Sequence, residues 1–442
     1  MKAWIRSSAF VFFATGVVNV CNFAYHLMMV RILRAEDYAT LNALLALSMI
    51  VSVPATTIQA AISRHVAYAQ AKAHTHRIWS ALQSTVMKVS ALSLGFFAVV
   101  VVGHRAVAQF LQIADSAIIV WWGGVVALLL VTPTLIGGLQ GLQEFTHLGT
   151  NLMAGGVSRL VCGLGLVLLG YGVGGAVVGL AVSAVVTCGL AVAQLRLVQR
   201  RHGGDEVSAD GAPQIEIQAA LQEWFSDVLV AIRPPWTVSG TTMVIAVAVT
   251  AYTSLTNSDV ALAKHYLAPA AAGDYAVASM IARIILFLPA AVAIVLFPKV
   301  AHATAKGEDT RPLLRQMLGV TAGLSGAAAI LCLVWSSEIT RLITGASREA
   351  SALLVPWLAV AMVGLALANI VLTYLLAAGH LRHVAAFFVC AVLQVLGIRA
   401  WHATPWQIAM VETVIAGMIA VYGLALCSGP RRWLAARVPA SG

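Results

Sequence analysis

Charge is what this sequence most lacks. Charged residues make up 10% of the 442 positions and hydrophobic residues 60%, whereas soluble domains average about 25% charged and about 45 to 50% apolar residues. Uncharged runs such as 116–143 and 160–195 exceed the roughly 20 residues that a helix needs to cross a bilayer. Backbone polar groups must pair internally in lipid, so these runs are predicted to be helices. The composition excludes a soluble fold.

Signals of enzymatic chemistry are also lacking. The six cysteines are scattered through apolar runs without paired spacing, so neither a disulfide frame nor a metal site is expected. The glycine-rich "GYGVGGAVVG" lacks the preceding strand of a dinucleotide fold. No loop on the predicted outer face exceeds about fifteen residues. The chain is therefore predicted not to be an enzyme and to need no cofactor beyond a coupling H+ or Na+.

The hydropathy pattern predicts an all-α polytopic membrane protein with about twelve spans. The weakest span is the eleventh, which is short and could borrow Arg382 and His383. The predicted spans are 8–31, 41–63, 79–102, 116–138, 148–170, 173–195, 239–266, 275–298, 314–336, 351–378, 384–398 and 404–427.

Basic residues predict the orientation. With the N-terminus inside, the inner segments hold sixteen Lys and Arg and the outer segments hold seven, which favours both termini in the cytoplasm of a cell inner membrane. The net charge of +10 is then explained by a basic face toward anionic lipid headgroups, and nucleic acid is not a required partner.

One long polar interruption divides the chain into two six-helix lobes, 1–198 and 237–442. The linker, 199–236, is predicted to contain an amphipathic helix along the cytoplasmic interface. The segment "AEDYATLNALLALSMIVSVPATT" in the first half is similar to "AGDYAVASMIARIILFLPAAVA" in the second. This parallel repeat places Asn22 opposite Asp259 and indicates a duplicated architecture.

Three stretches carry a family resemblance: "NFAYHLMMVRILRAEDYATLNAL", "GGLQGLQEFTHLGTNLMAGGVSRLVCGLGLVLLGYGVGGAVVGLAVS" and "NSDVALAKHYLAPAAAGDYAVASMIARIILFLPAAVAIVLFPKVA". They resemble the polysaccharide-type flippases of the multidrug/oligosaccharidyl-lipid/polysaccharide exporter superfamily. The resemblance implies two pseudo-symmetric helical bundles around a central cavity. It further implies alternating access that carries a lipid-linked oligosaccharide or related glycan across the inner membrane.

Intramembrane cations are candidates for the cargo site, because a charge in the membrane faces the bundle interior or an aqueous cavity. Arg283 is the first choice: an unpaired guanidinium suits a phosphate, although a structural pair with Asp259 or Glu412 is an equal alternative. Arg159 and Lys88 are weaker candidates. Arg64 could form a basic loading rim with Lys299 at the cytoplasmic end.

Two carboxylates are candidates for coupling. Asp259 lies three quarters of the way along the predicted seventh span. It could bind a proton or sodium with Asn257, Asn369 or Gln394, lock the lobe through Arg283, or cap an outer gate with Lys264. Glu412, within "PWQIAMVETVIAG", is the second carboxylate that could take up a proton.

The first lobe carries no acidic residue inside its predicted spans, which leaves a positive cavity that prefers an anionic cargo such as a polyprenyl diphosphate sugar. Asn19, Asn22, Tyr25 and His26 share one face of the first helix and could contact sugar or form a packing seam. The alternatives are a drug or metabolite cation antiporter on the same scaffold, and a non-transporting subunit of a glycan synthase complex with biosynthetic partner proteins. Membrane lipids are expected neighbours in every case.

Overall fold

The computed structural model describes residues 2–71, 75–202, 240–287, 289, 300, 303 and 309–428. Within these residues the chain is helical throughout and contains no strand. The fourteen α-helices of this part are α1 (Lys2–Ile32), α2 (Ala35–Ala71), α3 (Thr75–Phe110), α4 (Ala117–Gly141), α5 (Phe145–Leu166), α6 (Gly172–His202), α7 (Gly240–Leu255), α8 (Ser258–Tyr266), α9 (Pro269–Phe287), α10 (Arg311–Val334), α11 (Ser336–Thr344), α12 (Glu349–Ala377), α13 (Ala385–Ala400) and α14 (Pro405–Ser428).

Ten helical stretches in the described residues are long and apolar enough to cross a membrane. One of them, Phe145–Arg201, is 57 residues long and would reach about 85 Å as a straight helix. It reverses direction after a π-helical turn, Val167–Tyr171, where Gly170 and Gly172 have φ angles of 92° and 52°. α5 and α6 then pack against each other, so this stretch supplies two spans.

The predicted seventh span, 239–266, is wrong as a continuous helix. α7 ends at Leu255 and α8 begins at Ser258. The side chains of Thr256 and Asn257 donate hydrogen bonds to backbone carbonyls in the last turn of α7. Asn and Thr side chains compete with the helical ladder in this way, and Asn257 has a non-helical backbone conformation (φ −135°, ψ −23°).

The weak eleventh span is confirmed as a candidate span. It runs from Arg382 to Ala400 and thus includes Arg382 and His383. A short 3-10 turn, Leu381–Val384, precedes α13 and supplies the extra length. With the divided 57-residue stretch and the α7–α8 pair, the spans number about twelve, as predicted.

Helix packing repeats between the two halves. In the first half α2 packs on α4, α3 on α4, α4 on α6, α1 on α5 and α5 on α6. The second half shows the same order of contacts: α9 on α12, α10 on α12, α12 on α14, α7 on α13 and α13 on α14. The term "N-lobe" is used below for α1–α6 and "C-lobe" for α7–α14.

The lobes meet along α2, which packs against α7, α8 and α9. Gly273 lies close enough to Ala35 that a Cβ at Gly273 would come within 2.6 Å of the Ala35 carbonyl carbon. Asn42 donates a hydrogen bond to the Ala276 carbonyl at 3.3 Å. α2 and α9 are therefore in close contact near their first turns, and these are the two helices that carry the sequence repeat.

Some sequence predictions fall outside the described residues. They include the amphipathic helix of the linker and Lys299 at the proposed loading rim.

Candidate functional site

The C-lobe holds a buried ion pair. Arg283 on α9 donates from Nη2 to Oδ1 of Asp259 at 3.3 Å and from Nη1 to Oδ1 of Asn257 at 2.9 Å. Its Nε donates to Ser279 Oγ at 3.2 Å. The side chain of Asp259 is 0% exposed and that of Arg283 is 16% exposed. Arg283 is therefore not the unpaired guanidinium that was one alternative from the sequence.

Asp259 is held from a second direction. Tyr275, fully buried on α9, donates its hydroxyl to Oδ2 of Asp259 at 3.1 Å. Asp259 is completely buried among protein side chains, because α2, α9, α13 and α14 all pack around α8.

A second buried carboxylate lies beside this pair. Gln394 on α13 donates through Nε2 to Glu412 Oε2 on α14 and to the Leu255 carbonyl, the latter at 3.0 Å. Ser258 Oγ donates to Gln394 Oε1 at 3.2 Å. The other Glu412 oxygen, Oε1, has no hydrogen-bond partner in the described part of the chain. Asn369, on α12, takes no part in these hydrogen bonds.

The break between α7 and α8 explains why these groups converge. It frees the carbonyl of Leu255 to accept from Gln394 and places Asn257, Ser258 and Asp259 in consecutive positions at the start of α8. Asn257 and Ser258 thereby reach α9 and α13 respectively.

The N-lobe arginine has only neutral partners. Arg159 on α5 donates from Nη1 to Asn22 Oδ1 on α1 at 3.3 Å, and its guanidinium lies 4.4 Å from the Tyr25 ring centroid. Its Nε atom is buried and has no partner among the described residues. Arg159 is thus held by a side-chain hydrogen bond and a cation–π contact.

Small residues on α5 allow Arg159 and Tyr25 to meet. A Cβ at Gly163 would come within 2.7 Å of Tyr25 Cε2, and one at Gly156 within 3.3 Å of Val18 on α1. Gly155 faces Thr187 on α6 in the same way, at 2.5 Å. The "MAGGVS" stretch therefore packs α5 closely between α1 and α6, and the absent side chain at Gly163 is the space that the Tyr25 ring occupies.

Two further polar groups of the N-lobe are influenced by the charges of both arginines. The charges of Arg159 and Arg283 both act on His26 of α1 and on Tyr38 of α2. The Nδ1 atom of His26 and the hydroxyl of Tyr38 are buried without a hydrogen-bond partner in the described structure. Buried polar atoms are nearly always satisfied, so these two groups are exceptions among the polar atoms of the N-lobe.

The charges of the two lobes are unequal. Arg159 has no acidic residue within the membrane part of its lobe, whose acids are Glu36, Asp37, Asp115 and Glu144 near helix ends. In the C-lobe, one guanidinium, Arg283, accompanies two buried carboxylates, Asp259 and Glu412. The interior thus combines a lobe with a surplus cation and a lobe with a surplus acid.

The remaining sequence candidates lie away from this cluster. Asn19 and Arg64 are exposed, and Lys88 is partly buried on α3, a helix that packs mainly on α4. The structure brings candidates together in two groups, one in each lobe: Asn22, Tyr25, His26 and Arg159 in the N-lobe, and Arg283, Asp259 and Glu412 in the C-lobe. No group of three or more His, Cys, Asp or Glu among the described residues could hold a metal ion.

Two tyrosines were missed by sequence reasoning. Tyr275 and Tyr38 follow the aspartate in the repeated "DYA", and both are buried beside the arginine network. That repeat was the available signal, but it was used only to align the halves.

The lobes are hydrogen-bonded at one end, called here the bridged end and defined by Arg31, Gln112, His265, Leu342 and Ile343. Arg31 donates to the carbonyls of Ile343 at 2.9 Å and Leu342 at 2.6 Å. Gln112 donates to the His265 carbonyl at 2.7 Å, and the His265 Nδ1 lies 2.6 Å from the Phe110 carbonyl oxygen. These contacts connect α1 and the end of α3 with the C-lobe.

Lys264 lies near this end but does not pair with Asp259. It is buried, and the charges that act on it are those of Glu36 and Asp37 at the start of α2. The outer-gate alternative, a pair of Asp259 with Lys264, is therefore not seen among the described residues.

No protein-family model matches the chain, and no curated protein matches its sequence. Solved structures do match its fold. A multidrug-resistance MATE-family transporter of the MOP superfamily, in an inward-facing conformation, has a TM-score of 0.68 at 13% identity over 93% of this chain and 94% of its own. The lipid II flippase MurJ, in an inward closed conformation, has a TM-score of 0.67 at 10% identity over 96% and 88%.

A eukaryotic MATE transporter, AtDTX14, is similar over 98% of both chains, with a TM-score of 0.55 at 13% identity. At these identities the likeness establishes the fold. The chain has the fold shared by MATE and MurJ transporters of the MOP superfamily, which confirms the structural side of the sequence resemblance. It is an all-α, multi-pass membrane protein.

Proposed function

We propose that the protein is a transporter that moves an anionic, lipid-linked oligosaccharide or related polysaccharide precursor across the cell inner membrane by alternating access. The observation that carries this proposal is Arg159, whose guanidinium lies inside the N-lobe with only Asn22 and Tyr25 as partners. On this proposal the protein acts without catalysis, and both termini lie in the cytoplasm.

An uncompensated guanidinium is costly in a membrane protein. Insertion scales place that cost at about 2.5 to 3.5 kcal/mol for an arginine at mid-membrane. A phosphate group offsets it through two parallel charge-assisted hydrogen bonds. The unpaired polar atoms of His26 and Tyr38 lie within the influence of the same guanidinium, so they are suited to receive polar atoms of the cargo.

The packing of the lobes supports alternating access. Hydrogen bonds join the lobes at the bridged end, and two of the similar solved structures carry inward conformations in their descriptions. We infer that this structure is an inward state in which the bridged end, the outer end of the predicted topology, is closed. Opening that end would require α1 to release α11.

Asp259 and Glu412 are proposed to link transport to an ion gradient. The Asp259–Arg283 pair can lock the C-lobe, and Glu412 can take up a proton through the oxygen that lacks a partner. A coupling H+ or Na+ is the only accessory ion in this proposal. Membrane lipids and glycan biosynthesis proteins are its expected partners.

The test is complementation of a glycan-export defect at matched membrane abundance, with lipid-linked sugar measured on each face of the membrane. We expect Arg159→Ala to leave the precursor on the cytoplasmic face, whereas Arg159→Lys retains part of the export. Arg105→Ala is the matched control, because Arg105 is exposed near the end of α3. Normal export by Arg159→Ala would contradict the proposal and favour a non-transporting synthase subunit.

A cation antiporter is the second candidate. The observation that favours it is the pair of buried carboxylates, Asp259 and Glu412, in the C-lobe. A MATE-like activity would be seen as efflux of a cationic dye by proteoliposomes under a proton or sodium gradient. Dye efflux that survives Arg159→Ala but is lost in Glu412→Gln would select this function over the flippase.

A further inference from the structure

α11 is a short helix at the bridged end, set between two membrane spans. It follows α10 after Trp335, whose backbone leaves the helical conformation (φ −117°, ψ 34°), and it ends at Gly345, which is left-handed (φ 74°). α11 is therefore separated from both α10 and α12. With 9 residues it is much too short to cross a bilayer, which takes about 20.

The uncharged residues of α11 divide into a buried side and an exposed apolar side. Thr340, Ile343 and Thr344 are buried, and α11 packs there on α1 and α12. Leu342 is 73% exposed, and Trp335, seven residues earlier, is 50% exposed. Seven residues are almost two helical turns, so these two large apolar side chains lie along one side of the helix.

The charged residues of α11 lie on a third side. Glu338 and Arg341 are both exposed. At 100° per residue they follow Leu342 around the helix axis, on the side away from the buried residues. Around its axis α11 thus presents a protein-facing side, an exposed apolar side and an exposed charged side. This is the pattern of a helix that lies in the plane of a membrane surface.

The exposed tryptophans indicate where that surface is. All five exposed tryptophans of the described chain lie near the same ends of their helices. They are Trp121 near the start of α4, Trp335 before α11, Trp357 in the third turn of α12, Trp401 after α13 and Trp406 at the start of α14.

These helix ends belong to the bridged end. α4 begins where α3 has ended beside Gln112, and α12 begins after α11. The turn between α13 and α14 is also at this end, because His402 stacks on Tyr266 at the end of α8 with ring centroids 4.0 Å apart. Tryptophan is enriched where a membrane meets water, so the bridged end lies at the level of the lipid headgroups.

The neighbouring surface of α12 is suited to lipid. α12 is long and apolar enough to cross a membrane, and Leu353 in its second turn is 74% exposed. An exposed leucine on a spanning helix faces acyl chains. Because α11 packs on α12, the leaflet that covers Leu353 extends to the apolar side of α11.

We propose that α11 is a membrane-surface helix that binds the phospholipid leaflet at the bridged end, with Trp335 and Leu342 inserted below the headgroups and Glu338 and Arg341 directed to water. This inference goes beyond the proposed function and does not depend on the cargo. The occupant of the exposed apolar side is the bilayer itself.

The contact between α11 and α1 gives this binding a consequence for gating. Arg31 donates to the carbonyls of Leu342 and Ile343, which lie in the last turn of α11, where carbonyls have no partner within the helix. α1 is thereby joined to an element that the leaflet holds in place. Movement of α1 away from the bridged end must either break these hydrogen bonds or displace α11 within the leaflet.

The experiment measures the depth of α11 in phosphatidylcholine liposomes. Nitroxide labels are attached to Leu342→Cys, Arg341→Cys and Leu92→Cys in the full-length protein, with the six native cysteines replaced by alanine. Collision rates with oxygen and with a water-soluble nickel chelate give the depth of each label. Leu92 is the reference for the bilayer interior, because it is 70% exposed within the span Leu82–Phe110.

We expect the label at position 342 to lie about 5 to 10 Å below the boundary between headgroups and acyl chains. The label at position 341, on the charged side, should lie above that boundary, and the label at position 92 should be the deepest. Equal nickel accessibility at positions 341 and 342 would place α11 in water and overturn the proposal. Shielding of position 342 from both reagents would also overturn it, since a partner protein or a second copy would then cover the helix.

A second measurement avoids the cysteine replacements. If the cysteine-free protein does not purify as a monodisperse species, benzoyl-phenylalanine is introduced at Leu342 of the otherwise unchanged chain and irradiated in the same liposomes. We expect an adduct with phosphatidylcholine. An adduct with protein alone, or no adduct, overturns the proposal. Arg341 substituted in the same way is the matched control and should give much less of the lipid adduct.

Discussion

Each lobe contributes one arginine to the candidate site, and the two differ in what surrounds the guanidinium. Arg283 in the C-lobe is neutralised by Asp259, whereas Arg159 in the N-lobe meets the amide of Asn22 and the ring of Tyr25. The sequence repeat sets Asn22 opposite Asp259, but the two arginines lie on helices that are not equivalent in the repeat, Arg159 on α5 and Arg283 on α9. The two environments therefore differ in the position of the cation as well as in the replacement of an amide by a carboxylate.

The tyrosines repeat the contrast. Tyr275 donates to Asp259, while Tyr38, its counterpart in the repeat, is equally buried but has a hydroxyl without a partner in the described structure. A satisfied network is rigid, and an unsatisfied one is costly unless a ligand completes it. Under the proposed function, this comparison ascribes internal restraint to the C-lobe and cargo binding to the N-lobe, and four experiments can break or sharpen it.

Removal of the C-lobe carboxylate should have the largest effect. Asp259→Ala leaves Arg283 buried without its counter-ion and is expected to destabilise the protein by about 3 to 5 kcal/mol. Asn22→Ala in the N-lobe removes one hydrogen bond, and the expected loss is only about 1 kcal/mol. Thermal unfolding in detergent measures both. The double variant Asp259→Ala/Arg283→Met should recover much of the loss, and equal losses for the two single variants would contradict the comparison.

Asn22→Asp should convert the N-lobe to the C-lobe pattern. A carboxylate at this position would pair with Arg159 and compete with an anion for it. We expect binding of geranyl diphosphate to weaken by roughly tenfold to a hundredfold, the equivalent of one charged hydrogen bond of about 1.5 to 3 kcal/mol. Calorimetric titration measures the affinity. Gln109→Glu, an exposed amide-to-acid change on α3, controls for net charge, and an equal weakening there would argue against a local effect.

Gly163→Ala should displace Tyr25 from beneath Arg159. The added methyl would lie 2.7 Å from the ring, and overpacking of this kind costs about 1 to 3 kcal/mol. Thermal unfolding should show the loss together with weaker anion binding. Gly165→Ala on the same helix is the matched control, since nothing lies within 4 Å of a Cβ there. Unchanged stability of Gly163→Ala would show that α1 and α5 can move apart freely.

Arg31→Ala should have the smallest effect on stability. Arg31 satisfies two carbonyls in the last turn of α11, where a cation also interacts favourably with the helix dipole. The expected loss of free energy holding the bridged end closed is about 1 kcal/mol at this exposed site. Spin labels placed across the bridged end measure it as a shift toward larger distances. Arg34→Ala, which removes only the exposed ion pair with Glu36, should leave the distances unchanged.

The sequence predicted the fold well because its signals are local and strong. Charge-free runs identify helices in a bilayer, and the polar linker and the "DYA" repeat identify the two halves. The prediction of a continuous seventh span was wrong because the length of an apolar run does not show where a helix breaks. The break at Asn257 depends on competition between its side chain and the backbone for the hydrogen bonds of the helix. The reversal at Gly170 and Gly172 was predicted correctly, as glycine pairs tolerate positive φ.

The sequence predicted which charged residues belong to the candidate site, but it did not predict their partners. Arg159, Arg283, Asp259 and Glu412 stood out because charges are rare in spans. Their partners did not: the hydrogen bonds of Gln394 to Glu412 and of Arg283 to Asn257 join residues on different helices, and no spacing rule connects them. Lys88 was selected by the same rule but does not join the site, because its helix, α3, packs mainly on α4.

Composition and local pattern alone determined that this chain crosses a membrane about twelve times, in two related halves, with a positive first lobe. Only the tertiary structure decided which arginine is neutralised. The physical reason is the distance over which each effect acts. The free energy of transferring a segment from water into the membrane depends on the residues of that segment, so the sequence predicts it. The pairing of a charge depends on atoms within about 4 Å, and here those atoms come from helices far apart in the chain.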